Sequence, residues 1–358
     1  MDLTKKTRAE LIALCKAAHL KGYSNKRVEE IRDLLLAEQP QAQAQHPQAQ
    51  QHIQAQDSIK KPFLKWVGGK TQLIKAVLEH FPSAIQNYHE PFLGGGSVLL
   101  ALLSQPHRKI TDKIYASDLN VTLIGLYQHI QKQPAELIAA VNKITAEFAE
   151  AKGLVINRQP ATLVEAQSSP ESYYYWTRQA FNALSKTARG TLEAAALFLF
   201  LNKTCFRGVY REGPRGFNVP YGNYNQPTIL DEAHIYAVSA LIQPVIFTAQ
   251  SYEAALKEVQ PGDFVYLDPP YAPLNEKSFV GYNAEGFTLE QHNQLFTQCA
   301  CLTEKKVRFL LSNAEVPLVT TAFPAPVYQT RVVSCRRAIH AKAPASRTNE
   351  VLITNAYA

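Results

Sequence analysis

The sequence lacks the marks of a membrane, secreted or metal-bound protein. No apolar run reaches the roughly 18 residues that a membrane-spanning helix needs, and the N-terminal Met1–Lys6 has no apolar signal region. The five cysteines are scattered without a Cys-x-x-Cys pair, and the histidines have no ligand-like spacing. We therefore expect no membrane association, no secretion, no bound metal and a reducing compartment.

The charge balance is mildly basic. The 37 lysines and arginines exceed the 30 acidic residues and give a formal charge of +7. This balance suits a polyanionic partner such as nucleic acid, although a mildly basic soluble protein without such a partner also shows it. The length of 358 residues predicts about two domains.

Residues 1–59 divide into a predicted helix pair and a polar linker. Thr7 and Glu10 have the spacing of a capping box that opens a helix, and apolar residues recur at helical spacing on both sides of Gly22. This helix–loop–helix over residues 1–38 resembles the SAP and helix-extension-helix modules that bind DNA, and a two-helix protein-interaction piece is the alternative. Residues 39–59 are rich in glutamine, alanine and proline, which predicts a disordered tether.

From Lys60 onward the pattern is that of a globular α/β domain. Strand-like runs alternate with helical patterns at 70–79, 97–104 and 289–304, which favours a doubly wound, mostly parallel sheet. The runs lie at Tyr88–Phe92, Ile114–Ser117, Val245–Thr248, Phe264–Leu267, Arg308–Ser312, Val327–Val333 and Glu350–Thr354. Only a basic loop separates the final two runs, so they are predicted to form an antiparallel pair at one edge.

The alternation of strand and helix fails between residues 121 and 240. Helical stretches at Pro134–Ala149, Ser172–Leu184 and Leu192–Leu201 lead into a segment rich in glycine, proline and arginine. We interpret 121–240 as a mainly helical inserted domain, and 60–120 together with 241–358 as the domain that carries the sheet.

Two segments are typical of a site for a nucleotide-like ligand. Glu90–Ser97 runs from a strand through three glycines into a helix, and Asp118 ends the next strand, where a carboxylate can accept hydrogen bonds from ribose hydroxyls. The glycine spacing is not Gly-x-Gly-x-x-Gly, which favours S-adenosylmethionine over NAD. Lys70 opens a predicted helix and offers its ammonium and helix-terminal amides to a carboxylate. The Gly68–Thr71 segment lacks the earlier glycine of a phosphate loop, so an NTPase is not expected.

The tetrapeptide Asp268-Pro269-Pro270-Tyr271 follows the apolar run Phe264–Leu267. Proline donates no ladder hydrogen bond, so the strand is expected to stop at Asp268 and the chain to turn sharply. A carboxylate, a rigid turn and an aromatic ring then lie at the carboxyl end of a strand, where open α/β sheets bind ligands. Such a turn is suited to gripping a flat heterocycle that carries an amino group.

Four segments in this order resemble those of the Dam-type (α-group) DNA adenine methyltransferases: Phe63–Lys70, Glu90–Ser97, Ser117–Asn120 and Asp268–Tyr271. The segments Leu201–Gly208, Gly216–Gly222 and Asn349–Ile353 agree, so the resemblance spans residues 60–356. It implies a Rossmann-like methyltransferase fold, S-adenosylmethionine as the cofactor and double-stranded DNA as the partner.

The resemblance also implies roles for individual residues. The catalytic turn would be Asp268, Pro269, Pro270 and Tyr271, and the residues around the cofactor would be Trp66, Lys70, Phe92, Gly94, Gly96, Asp118 and Asp268. The DNA contacts would be Lys65, Arg207, Tyr210, Arg211 and Asn218, with 121–240 as the target-recognition domain and the loop at 205–222 entering the DNA. Arg189 and Arg215 are further arginines that could read guanine.

The implied reaction is methylation of the exocyclic N6 amine of adenine. Asp268 and the carbonyl of Pro269 would each accept one amine hydrogen, and Tyr271 would stack on a base flipped from the duplex. The alternatives are cytosine N4, adenine in RNA, and a non-catalytic DNA-binding protein with a decayed methylase fold. We expect a monomer in the cytoplasm, or wherever the target DNA resides, with a cognate restriction endonuclease as a candidate partner. The recognition sequence cannot be read from the chain.

Overall fold

A computed structural model describes residues 7, 10–12, 27–31, 61–105, 109–273, 287–336 and 347–355. The chain divides into two compact units, Met1–Gln51 and His52–Ala358. In the first unit, the Thr7 amide donates to Oε2 of Glu10 over 2.8 Å and the Glu10 amide donates to Oγ1 of Thr7 over 3.5 Å. The predicted capping box is therefore confirmed. The tether and most of the predicted helix pair lie outside the described residues.

The central sheet of the second unit has seven strands in the order β10-β11-β9-β8-β2-β4-β7. The strands of the described residues are β1 (Ala84–Ile85), β2 (Tyr88–Glu90), β3 (Lys109–Ile110), β4 (Ile114–Asp118), β5 (Glu212–Gly213), β6 (Gly216–Phe217), β7 (Val245–Ala249), β8 (Phe264–Leu267), β9 (Arg308–Ala314), β10 (Tyr328–Arg336) and β11 (Arg347–Asn355). β2, β4, β7, β8 and β9 run parallel. β11 is antiparallel to β9 and to β10, so the doubly wound sheet and its antiparallel edge are both confirmed.

β8 shows why its sequence is continuously apolar. All four of its residues are buried, because it is a central strand covered on both faces. Phe264 and Tyr266 pack into the core on one face of the sheet, and Val265 and Leu267 pack into the core on the other. This alternation fixes the register of the strand and therefore the position at which Asp268 emerges.

Helices connect and cover the strands. The α-helices in the described part of the second unit are α1 (Ile74–Glu79), α2 (Ser97–Leu103), α3 (Val121–Lys132), α4 (Pro134–Glu150), α5 (Leu163–Ala166), α6 (Pro170–Ala183), α7 (Leu192–Thr204), α8 (Glu232–Leu241), α9 (Tyr252–Lys257), α10 (Leu289–Glu304) and α11 (Pro317–Thr320). Among the described residues, none of the helices combines the length and the apolar character that crossing a membrane requires.

The segment 121–240 packs against the sheet as well as within itself. α3, which was not among the predicted helices, donates from Gln128 to the Phe247 carbonyl over 2.9 Å and from Gln131 to the Val245 carbonyl over 2.8 Å. Core side chains of α3, α4, α6 and α7 join those of β2 and β4 in one continuous apolar cluster. The domain boundaries at 121 and 240 stay a prediction, and the structure adds that no break in the core marks them within the described residues.

The Tyr173–Trp176 run illustrates this helical core. The rings of Tyr173, Tyr174 and Tyr175 are buried, so this run forms part of a helix interior rather than an exposed stacking surface. Tyr174 donates its hydroxyl to the Val219 carbonyl over 2.7 Å. α6 thereby holds the end of the loop at 205–222, which contains a short β5–β6 hairpin.

Candidate active site

The site lies where the strand order of the sheet reverses. The chain passes from β2 through β4 to β7 on one side, and from β8 to β9 on the other, so the reversal falls between β2 and β8. The loops that follow these two strands diverge and leave a crevice at the carboxyl ends, which is where open α/β sheets bind ligands. The glycine segment follows β2, Asp118 ends β4, and Asp268 follows β8.

Asp268 is paired with a buried lysine. Nζ of Lys70 lies 2.7 Å from Oδ2 of Asp268 and also donates to the Gly68 carbonyl over 2.8 Å. Lys70 is 4% exposed and the Asp268 side chain 18% exposed, so the pair lies deep in the crevice but is reachable from it. Burial raises the pKa of Asp268 and the Lys70 ammonium lowers it. Lys70 thus supports the ionised form, in which both carboxylate oxygens are acceptors.

The environment of Lys70 differs in one respect from the sequence-based expectation. The first turn is a 3₁₀ turn over Lys70–Gln72, and α1 begins only at Ile74. The Lys70 amide donates to Oγ of Ser97 over 3.0 Å, and its ammonium is engaged by Asp268. The predicted helix therefore begins as a 3₁₀ turn whose first amide is bound by the Ser97 side chain, and the role of Lys70 at the cofactor stays a prediction.

Tyr271 and Ala272 anchor the turn to the antiparallel edge of the sheet. The Tyr271 hydroxyl donates to Oε2 of Glu350 over 2.7 Å, and the Ala272 amide donates to Oδ1 of Asn313 over 3.0 Å. Nζ of Lys70 lies 4.8 Å from the centroid of the Tyr271 ring. The turn therefore has fixed points on both β9 and β11.

Asp118 organises the glycine loop. Its Oδ2 accepts from the Gly94 amide and its Oδ1 from the Asn120 amide, both over 3.0 Å. Burial raises the pKa of Asp118, and these backbone hydrogen bonds lower it. Gly96 has φ +65°, and a Cβ atom there would collide with the hydroxyl of Tyr127, so only glycine fits.

Aromatic side chains enclose this loop. A Cβ atom on Gly95 would lie 2.7 Å from Cβ of Trp66, which shows how closely the Trp66 side chain covers the glycines. Trp66 stacks on Tyr210 with ring centroids 5.9 Å apart, and Phe92 stacks on Tyr252 at 5.2 Å. Trp66 and Phe92 are partly buried and belong to the two opposite cores of the sheet.

Glu90 is a further buried acid at the end of β2 that the sequence analysis did not assign. It accepts from the Tyr88 hydroxyl over 2.6 Å. Burial raises its pKa to about 8, with the Tyr88 hydrogen bond lowering it, Asp268 raising it and Lys70 lowering it. Glu90 is therefore protonated at neutral pH, whereas Lys70 supports the ionised form of Asp268. In the sequence, the signal for Glu90 is an acid at the end of the strand that leads into the glycines.

The DNA-contact candidates form two groups. Lys65 lies against Gly208 of the loop at 205–222, and its Nζ is 4.0 Å from the centroid of the Tyr224 ring. The Tyr224 hydroxyl accepts from the Arg207 amide over 2.7 Å, and Arg207 is exposed with φ +58°. The structure thus brings Lys65 and Arg207 together through Tyr224, a residue that the sequence analysis passed over.

The second group extends along the same loop. Arg211 donates from Nε to Oδ1 of Asn218 over 2.7 Å, and both side chains are exposed. Tyr210 is half-buried and donates its hydroxyl to Oε1 of Glu212 over 2.6 Å, so it lies inside the aromatic cluster rather than on the loop surface. Arg189 pairs with Glu212 over 3.3 Å and is mostly buried, unlike Arg207 and Arg211.

Comparison with known proteins identifies the family. A Rossmann-like sheet with a rigid acidic turn and a glycine loop at its reversal point is the arrangement of a methyltransferase. The family model of the D12 class N6 adenine-specific DNA methyltransferases matches residues 66–339. The chain belongs to this family, and the resemblance found in the sequence is confirmed.

Individual relatives agree over most of their length. The Type II methyltransferase M.MjaIII of Methanocaldococcus jannaschii is 35% identical over 261 residues, which cover 71% of this chain and 84% of that protein. The Type II methyltransferase M1.LlaDCHI of Lactococcus lactis subsp. cremoris is 30% identical over 300 residues, or 82% and 95% of the two chains. The DNA adenine methylase of Escherichia coli K12 is 30% identical over 283 residues, or 78% and 89%.

The family decides between the alternatives that the sequence left open. The chain is an adenine-specific DNA methyltransferase that acts on N6, rather than an enzyme for cytosine or RNA or a non-catalytic protein. A methyl donor and DNA are its substrates. Residues 1–38 precede the matched range, so their resemblance to SAP modules stays a prediction.

Proposed function

We propose that the enzyme transfers the methyl group of S-adenosylmethionine to the N6 amine of an adenine flipped out of double-stranded DNA, with the turn Asp268–Tyr271 as its catalytic element. The observation that carries this proposal is the Lys70–Asp268 pair, 2.7 Å long, at the point where the sheet order reverses. It keeps a carboxylate acceptor inside the crevice, beside a turn made rigid by two prolines.

The residues around the glycine loop fit this methyl donor. Asp118 has spare lone pairs beyond its two backbone bonds, which suit the ribose hydroxyls. Gly94 keeps a side chain out of the space beside Trp66, Gly96 leaves room for the Tyr127 hydroxyl, and Phe92 offers a ring. S-adenosylmethionine supplies a cationic sulfonium whose methyl group is already activated, so the protein has to provide mainly orientation.

On the base side, the turn would orient the amine. Adenine's exocyclic nitrogen is a poor nucleophile because its lone pair is delocalised into the ring. One amine hydrogen would be donated to Asp268 and the other to the Pro269 carbonyl, which favours a pyramidal nitrogen with its lone pair directed at the methyl group. Tyr271 would stack on the base, whose extrusion from the duplex is required for access.

The loop at 205–222 would read the DNA. Arg207, Arg211 and Asn218 are exposed on it, and Lys65 lies beside it. Arginine is the usual bidentate partner of guanine in the major groove. Tyr210 would act from within the aromatic cluster, by supporting Trp66 and the loop, and 121–240 would serve as the target-recognition domain.

The accessory parts and partners follow from this function. Residues 1–38 would bind DNA without regard to the target, and the linker 39–59 would keep the catalytic unit close to it. The enzyme would act as a monomer in the cytoplasm, or wherever the target DNA resides. A restriction endonuclease of the same target is proposed as its counterpart, in line with the names of two relatives.

The test is replacement of the catalytic carboxylate. Asp268→Asn keeps the side-chain volume and removes the charge, and we expect it to lower kcat by about 10³-fold, the loss found when a preorganised electrostatic group is removed. The assay is transfer of labelled methyl from S-adenosylmethionine to unmethylated double-stranded DNA, with RNA in parallel, followed by nucleoside analysis. N6-methyladenine in DNA alone is expected.

The matched control is Asp112→Asn, which removes a charge from an exposed aspartate outside the crevice. It should leave kcat unchanged. Binding of DNA to Asp268→Asn should stay within about threefold of wild type. Full activity of Asp268→Asn, or labelled N4-methylcytosine as the product, would overturn the proposal.

A further inference from the structure

The closing segment Asn349–Ile353 was conspicuous in the sequence, yet the proposed function gives it no role. It lies on β11, whose Val351, Leu352 and Ile353 are buried in the core. Glu350 is the acid in this apolar run, and it is opposite Ala314 of β9 and Val333 of β10. Packing explains the three apolar residues, but it does not explain a carboxylate at the crevice end of the strand.

The Glu350 carboxylate is bound to the catalytic turn. Its Oε2 accepts the Tyr271 hydroxyl over 2.7 Å, a length typical of a hydrogen bond to a charged acceptor. The backbone next to the tyrosine is fixed independently, since the Ala272 amide donates to Asn313 over 3.0 Å. One anchor holds the chain and the other holds the far end of the ring, so together they fix the long axis of the ring. Because a phenol O–H group prefers to lie in the plane of its ring, the direction of the hydrogen bond to Glu350 also favours one rotation of the ring about that axis.

We propose that Glu350 is a positioning residue for the methyl transfer: it holds the Tyr271 ring in the plane against which the target adenine stacks. This rests on the proposed function, in which Tyr271 stacks on the flipped base. Glu350 touches neither substrate in this scheme and orients the ring through the tyrosine hydroxyl.

The charge of Glu350 also affects the pKa of Asp268. Burial raises the pKa of Asp268, Lys70 lowers it, and the negative charge of Glu350 raises it. Among the described residues, the other ionisable groups that face this cluster are Tyr271 on the turn, Tyr266 on β8, and Tyr88 and Glu90 on β2. Removing the Glu350 charge therefore lowers the pKa of Asp268, so the acid limb of the pH–rate profile moves to lower pH.

The main test is a double-mutant cycle between Tyr271 and Glu350 in the full chain, with methyl transfer to unmethylated phage λ DNA as the assay. We expect Glu350→Ala and Tyr271→Phe each to lower kcat by about tenfold, the loss of one hydrogen bond to a charged group. The double variant should be no worse than Tyr271→Phe, because both changes remove the same bond. Losses that multiply would overturn the proposal.

Glu350→Gln provides a test that does not require the fold to tolerate the smaller alanine side chain. It keeps an acceptor oxygen, so kcat should fall by only about threefold, while the acid limb shifts downwards. The affinity for S-adenosylmethionine, measured by calorimetry, should be unchanged. Unchanged kcat together with an unshifted acid limb would refute the role of Glu350.

A matched control is available on the same edge of the sheet. Glu315 is exposed and accepts from the Asn349 side chain over 2.8 Å, but it does not contact the turn. Glu315→Gln should leave both kcat and the acid limb unchanged. Failure of the proposed function would instead appear as an inactive wild type or an active Asp268→Asn, whatever the Glu350 variants do.

Discussion

The polar side chains of the turn Asp268–Tyr271 are bound to close partners, whereas the arginines of the loop at 205–222 are exposed. In the turn, Asp268 is bound to Lys70 and Tyr271 to Glu350, and both bonds are 2.7 Å long. In the loop, Arg207 is exposed, and Arg211 is bound by Asn218, itself exposed. The difference matches two tasks: chemistry needs acceptors fixed before the substrate arrives, whereas contacts to DNA benefit from side chains that can adjust.

After replacement of Asp268 itself, the largest effect should come from removing the buried partner of Asp268 in the turn. Lys70→Met removes the cation that supports ionised Asp268, so the pKa of Asp268 rises and the acid limb of the pH–rate profile moves to higher pH. We expect kcat at pH 7 to fall by about 100-fold. The measurement is methyl transfer as a function of pH, and an unshifted limb would contradict this prediction.

Lys75→Met is the matched control for that variant. Lys75 lies on α1 and is exposed, so its replacement removes one positive charge from the neighbouring helix without touching the crevice. Its pH–rate profile should superimpose on that of the wild type.

A smaller effect on kcat is expected from changes in the exposed loop at 205–222. Arg207→Ala should weaken DNA binding by about tenfold and reduce the slope of log K against log salt by about one unit. At saturating DNA, kcat should stay within about twofold of wild type, because the turn is unchanged. Titration of labelled duplex DNA at several salt concentrations measures both quantities. A loss of kcat without a change in DNA affinity would remove the distinction between the two regions.

Arg331→Ala is the control for this prediction. Arg331 lies on β10, is exposed and pairs with Glu79 over 3.6 Å. Arg331→Ala tests whether loss of any surface arginine weakens DNA binding. We expect it to leave the slope of log K against log salt at the wild-type value.

The smallest effect on activity is expected at Glu90, which sharpens the contrast with Asp268. Burial raises the pKa of Glu90 to about 8, so the folded protein holds a proton that the unfolded chain has lost above its ordinary pKa. The stability contributed by this proton is full below that ordinary value and is lost as the pH rises towards 8. Glu90→Gln mimics the protonated form and should change kcat at pH 6 by less than about twofold.

The measurement for Glu90 is the free energy of unfolding from pH 5 to 9. The stability of the wild type relative to Glu90→Gln should fall by roughly 1.4 kcal/mol per pH unit through this window and level off above pH 8. A constant difference across the window would show that Glu90 is ionised throughout.

Much of the fold could be predicted from local pattern. α10 was predicted at 289–304 and is observed at Leu289–Glu304, because an amphipathic period and a Thr288–Gln291 capping box mark it locally. β8 was predicted with its observed bounds, because four apolar residues followed by Asp-Pro-Pro leave little choice. The edge strands β10 and β11 are longer than predicted, since their polar ends are joined by backbone pairing that carries no side-chain signal.

Less of the site could be predicted in this way. The chain order of the motifs placed Asp118, the glycine loop and Asp268 at one edge of the sheet, since parallel strands share their carboxyl ends. The bonds between them could not be read off, because Lys70 and Asp268, or Tyr271 and Glu350, are distant in the chain and meet only through strand order. For the same reason, the sequence did not separate Arg189, held by Glu212, from the exposed Arg207.

The sequence by itself determined the sheet, the rigid turn, the glycine loop and the family, because each depends on residues that are contiguous or that follow one another in a fixed order along the chain. Only the tertiary structure decided which ionisable groups share the crevice and how they bias one another. Burial next to Lys70 leaves Asp268 with a cation that supports its charge, while burial of Glu90 outweighs the hydrogen bond from Tyr88 and leaves Glu90 protonated at neutral pH. The physical reason is that desolvation and charge pairing depend on distances in space, which neither composition nor motif order specifies.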